Sequence, residues 1–124
     1  ITAIEPLRAA GVRVAAGADN VSDPFNPLGR SDALETAMLA VIAGHLDPGV
    51  ALAMVTEEAR AVLGLPAAGP WVGGRADLLA VRGTSVVEVI ANAPADRVVI
   101  HRGAVVSRSE TQTWTADPRL SGTR

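Results

Sequence analysis

Between Gly17 and Gly29 the sequence gathers Asp19, Asn20, Ser22, Asp23 and Asn26 around Pro24, Pro27 and Phe25. Asp19 and Asp23 are carboxylates able to take and return a proton, and the two amides can both donate to and accept from a polar ring. Proline and glycine throughout the stretch exclude regular structure, so these groups ride on a loop. The same residue types also build plain turns, because an Asp side chain bonds backbone N–H groups nearby. Asp23-Pro24 reads first as such a turn former. Metal-ligating types are sparse: His45 and His101 lie far apart, and cysteine is absent. Disulfides and thiolate metal sites are thereby excluded. His45 near a helix C-terminus favours the helix dipole, and His101 reads as a solvated residue at a strand end. Gly73-Gly74 lacks the spacing and the following helix of a nucleotide cradle.

The elements that must position the loop follow from periodicity. Ile1, Ile4, Leu7 and Ala10 repeat at helical spacing, and Gly11 ends that helix. Val12-Arg13-Val14-Ala15-Ala16 is β-branched and mostly apolar, the texture of a parallel strand buried on both faces. The loop then follows the C-terminal end of a strand, where α/β folds build their sites. Asp32 and Glu35 predict a capping box for the next helix, whose stripe is Leu34, Met38, Val41 and Ile42 and which Gly44 ends. Asp47-Pro48 starts another helix with Leu52 and Val55 on its apolar face. Thr56 is expected to cap a third, running to Leu63 and stopped by Gly64 and Pro66. Residues 66–74, rich in Pro and Gly, read as a connector. Residues 77–81 predict a strand, 85–91 a short helix and 96–101 a strand, with Arg102-Gly103 turning into a hairpin strand at 104–107. Asp77 is expected to hold the turn into its strand, and Arg75 to pair with an acid. From Arg108 the tail is polar, with Trp114 its large apolar anchor.

With 124 residues the chain can bury a core of its own. Its apolar set is Ala, Val and Leu, with one Phe and two Trp, which suits closely packed helices and strands. A net charge of −2 without a basic stripe gives no footprint for nucleic acid or an anionic membrane. No apolar run approaches the roughly 20 residues that span a bilayer. These features agree with a cytoplasmic protein. The sequence opens on Ile1 in mid-helix, so the chain is expected to be a piece of something longer.

Four stretches in order resemble one family. Residues 17–29, from Gly17-Ala18-Asp19-Asn20 through Phe25-Asn26-Pro27-Leu28-Gly29, resemble the eighth-strand loop of cytosine deaminases and their close relatives in the amidohydrolase superfamily. Thr56-Glu57-Glu58-Ala59-Arg60-Ala61-Val62-Leu63-Gly64-Leu65 is similar to the helix before the family's final β segment. Gly73-Gly74-Arg75-Ala76-Asp77-Leu78-Leu79 is similar to its G-x-x-A-D-L signature. Residues 98–106 match its last hairpin.

The resemblance implies an α/β fold: the last strand and helices of a metal-dependent hydrolase (β/α)8 barrel in residues 1–65, and the C-terminal strands of the appended β-sandwich with a polar tail in 66–124. It implies that Asp19 lies beside a divalent metal, zinc or iron, in the complete enzyme and handles the proton of the metal-bound water. A metal lowers the pKa of that water from about 16 toward about 7, within reach of a carboxylate. Asn20 and Phe25 match positions that shape the substrate pocket, where cytosine deaminases carry an acid and a Trp. Asn changes the hydrogen bonding and Phe removes a donor, which leaves the substrate open. The family's His-x-His pair has no counterpart here. No metal and no hydrolase activity are therefore expected on this chain alone, and the parent is expected to act on C–N bonds of small cyclic amidines or amides. A small heterocyclic substrate is the implied ligand of the parent. Self-association, or contact with an N-terminal part, is the implied partnership of the chain. The alternative is a non-catalytic dimerisation or binding module that keeps the same scaffold.

Overall fold

The computed structural model describes residues 3–19, 21–25, 27–112 and 114. Helix α1 (Ile4–Ala9) ends as its sequence dictates. Gly11 takes φ +80°, and the N–H groups of Gly11 and Val12 return to the carbonyls of Arg8 and Leu7 at 2.9 and 3.0 Å. These two bonds satisfy carbonyls that the helix end would leave open.

Residues 12–16 form no strand. A strand exists through the ladder of a neighbour, and among the described residues none pairs with this segment. The N–H of Ala16 instead donates to the carbonyl of Met54 at 2.9 Å, pinning the segment to a helix.

The core is helical. Helix α2 (Ala33–Gly44) is capped by Asp32, whose Oδ1 accepts from the Leu34 N–H, and it ends on His45 in the left-handed region. The expected capping box is half made, because Glu35 Oε2 accepts from Arg30 Nε at 3.1 Å and not from the cap residue. Helix α3 (Pro48–Val55) is capped by Asp47, which accepts from Gly49 and Val50. Helix α4 (Glu57–Val62) lacks the Thr56 side-chain cap: that hydroxyl donates back to the Leu52 carbonyl at 2.7 Å. Ala37 and Ala51 are fully buried, and their small side chains let α2 and α3 approach closely. Helix α5 (Val86–Asn92), drawn from the second half of the chain, inserts Ile90 between them. Among the described residues Leu34, Leu46 and Met54 complete the buried set. Ile42, placed on the apolar stripe by its spacing, is exposed.

Strands β1 (Leu78–Val81), β2 (Arg97–His101) and β3 (Ala104–Ser109) make one antiparallel sheet in the order β1-β2-β3. Leu78 faces Ile100, and Val81 faces Arg97. Arg102 and Gly103 both carry positive φ in the two-residue turn, the geometry that matches the twist of a hairpin. A register shift between Val99 and Ile100 lengthens β3 beyond the expected 104–107. All of β3 is exposed.

Candidate functional site

The loop that carries Asp19 hangs between two anchors. Upstream lies the Ala16–Met54 bond, and downstream is Asp32 at the head of α2. Within the loop, Asp23 Oδ1 accepts from the Phe25 N–H at 2.9 Å, the turn expected of an Asp before proline. The Ser22 hydroxyl donates to the Gly29 carbonyl at 3.0 Å and closes the loop on itself. Asp19 is exposed, and Phe25 is 88% exposed with its ring to solvent. Asn20, the other position matched to a substrate pocket, lies outside the described residues. Asp19 and Phe25 thus share a loop, both open to solvent.

Next to Asp19, the residues Ala16, Gly17 and Ala18 face Ser31, Ala33, Thr36 and Val55 across a cavity of about 130 Å³. Ligand pockets run from about 300 Å³ upward, so this space does not hold a heterocycle on its own. Among the described residues no group of three or more His, Cys, Asp or Glu is arranged to hold a metal. His45 and His101 stand on separate elements, one capping α2 and the other ending β2. The described residues do not by themselves fit a catalytic metal, which generally takes three protein ligands.

The densest charged cluster is elsewhere, around Asp77. Its Oδ1 accepts from the Arg102 N–H at 2.9 Å and lies 3.0 Å from His101 Nδ1. Its Oδ2 accepts from Arg60 Nη2 at 3.1 Å and from Arg75 Nε. The Arg102 N–H, then the Arg75 guanidinium, hold the Asp77 carboxyl well below the usual carboxylate range. Asp77 does hold the turn into β1, as its position suggested. The acid that Arg75 finds is two residues away, and His101 is half exposed yet faces the same carboxylate. This cluster ties α4, the connector and the hairpin tip together, and each of its charges has a partner.

A second ion pair was not legible from residue types. Arg97 Nη2 donates to Asp32 Oδ2 at 2.8 Å across 65 positions of chain, and both side chains are largely covered. The Arg97 guanidinium, opposed by burial, lowers the Asp32 pKa, with the Leu34 N–H adding to the effect. An Arg opening a strand carries no sequence signal that it will reach the head of a helix.

No family model matches the chain, and no solved structure matches it. It is 38% identical over 112 residues to a protein named pterin deaminase from Rhizobium rhizogenes (strain K84). That alignment covers 88% of this chain and 26% of the relative, so the chain spans about a quarter of the length of the curated relative it matches. The similarity takes in most of the chain and supports a deaminase-like relationship.

Proposed function

We propose that the chain is part of a metal-dependent hydrolase of the amidohydrolase superfamily that deaminates a small cyclic amidine or amide. The observation that carries this reading is the 38% identity to a pterin deaminase across 88% of the chain. The four ordered motifs of the sequence support it as well; three of them fall on α4, the turn into β1 and the β2–β3 hairpin. Pterin and cytosine each carry an amino group on a ring amidine carbon, so one reaction class covers both. The relative favours a pterin over cytosine, and Asn20 and Phe25, in place of an acid and a Trp, depart from the cytosine deaminase pattern without naming another ring.

On this reading residues 1–65 close a (β/α)8 barrel and 66–124 contribute the C-terminal strands of its sandwich and a polar tail. The exposed Leu39, Ile42, Leu63, Val72, Val105 and Val106 are then faces that the rest of the enzyme covers. Asp19 is the proton acceptor and donor of the reaction, carried on an exposed loop that can face a substrate held mainly by other segments. The divalent metal belongs to those segments as well.

The test is ammonia release from pterin and from cytosine by the gene product that contains this chain, with and without Asp19→Asn. Loss of general acid–base catalysis is expected to lower kcat by about 10²–10⁴-fold. Full activity in the variant would remove Asp19 from the chemistry, and no release from either ring would refute the function. The 124-residue chain alone is expected to release none.

A further inference from the structure

We propose that Asp32 and Arg97 are a positioning pair, fixing the downstream anchor of the Asp19 loop to the C-terminal end of α5 and the start of β2. The functional part of this inference rests on the reading of Asp19 given above; the mechanical part does not.

Every polar atom of Asp32 but its own N–H is committed. Oδ1 takes the Leu34 N–H at 2.9 Å and Oδ2 takes Arg97 Nη2 at 2.8 Å. Its carbonyl accepts from the Thr36 N–H at 3.0 Å and the Thr36 hydroxyl at 3.2 Å. Arg97 is equally constrained, since it also donates to the carbonyls of Ala93 at 3.0 Å and of Pro94. Those carbonyls lie at the end of α5, so the guanidinium joins the tail of one helix to the head of another. The side chains of Asp32 and Arg97 are 17% and 22% exposed, against 24% and 65% for Glu35 and Arg30. A shielded, multidentate pair holds geometry where an exposed one does not.

The head of α2 is also a wall of the Asp19 site. Ser31 and Ala33, on either side of Asp32, face Gly17 and Ala18 across the small cavity. Ser31 carries φ +55°, a strained conformation for a residue with a side chain, held just before the anchor. A shift at Asp32 therefore moves the surface against which the residues preceding Asp19 rest. A pair that only stabilised the fold would show no such directed effect.

Two variants separate positioning from capping. Asp32→Ser keeps an oxygen for the helix cap and loses the ion pair. Arg97→Lys keeps the charge and loses the fork to the two carbonyls. In the 124-residue chain, backbone order parameters at Gly17, Ala18 and residues 27–31 are expected to fall from about 0.85 to below about 0.6 in Asp32→Ser. The interior of α3 and the β2–β3 hairpin keep their values, and Arg97→Lys gives an intermediate loss. In the gene product containing this chain, Asp32→Ser lowers kcat by about tenfold with KM within twofold. Unchanged order in the loop, or an equal loss in every element, overturns the proposal. If the Asp32→Ser chain does not fold, the same comparison in Arg97→Lys decides it. A loosened loop in a gene product that releases no ammonia before mutation refutes the function and leaves the positioning intact.

Discussion

Ile90 is where the second half of the chain enters the helical core, and truncating it is the sharpest test of that packing. The side chain is 4% exposed and lies against the cluster of Ala37 and Ala51. Ile90→Ala removes three carbon groups at about 0.8 kcal/mol each, or about 2.4 kcal/mol before any cavity forms. The cavity contribution brings the expected loss to about 2–5 kcal/mol, and Ile90→Val should cost about 0.5–1.5 kcal/mol. Among the described residues six hydrophobic side chains make up the buried set, so the Ala variant can lose most of the stability of the chain and the Val variant gives the measurable increment. Urea unfolding followed by helical circular dichroism and by Trp fluorescence reads both halves at once, since Trp71 lies in the connector after α4. If α5 knits the halves together, the two probes shift by the same amount with an unchanged slope. A Val variant that shifts neither midpoint, or an Ala variant that moves one probe alone, would refute the packing argument.

Acid should destabilise the chain through its anchored carboxylates, Asp32 and Asp77 with Glu88, which Thr84 holds in the same direction. Asp32 and Asp77 have folded pKa values below their unfolded ones, so their contribution is complete above about pH 4 and is lost as pH falls through the folded values. A midpoint urea concentration that stays flat from pH 6 to pH 2 would contradict this. At Gly69, an added Cβ would lie 1.7 Å from the Trp71 ring, and at Gly74 it would lie 2.6 Å from its indole nitrogen. Gly69→Ala should therefore expel the ring and change Trp emission, and an unaltered spectrum would show that the indole is not seated there. Gly103→Val forces a β-branched residue to φ +81° in the hairpin turn, and should lower the urea midpoint more than Val105→Thr on the exposed strand.

The elements with local chemistry were legible. Asp32 and Gly44 bracket α2, Asp47-Pro48 opens α3, and Arg102-Gly103 sets the hairpin, because a cap or a turn is decided by residues within a few positions. What failed depended on distant partners. Residues 12–16 have the composition of a buried strand, but a ladder needs a neighbour that composition cannot name. Glu35 and Thr56 each had a plausible capping role and found a competing partner, Arg30 in one case and the Leu52 carbonyl in the other. Of the site, the loop and its Asp23 turn were readable. The contact of Arg97 with Asp32 was not, since it depends on how α5 docks on α2.

The hairpin tip has a consequence for anyone wishing to label or extend this protein. Exposed tips with Gly are usually the places where tags, peptides or whole domains can be inserted. This one is tied down from behind: the Arg102 N–H donates to Asp77, and the Gly103 N–H to the Ala76 carbonyl at 3.0 Å. A graft between them would sever both links and release the carboxylate that gathers Arg60 and Arg75. On the 124-residue chain a label on Val106, the exposed residue that bulges from β3, breaks no such link, but in the longer enzyme proposed above it would stand on a covered face.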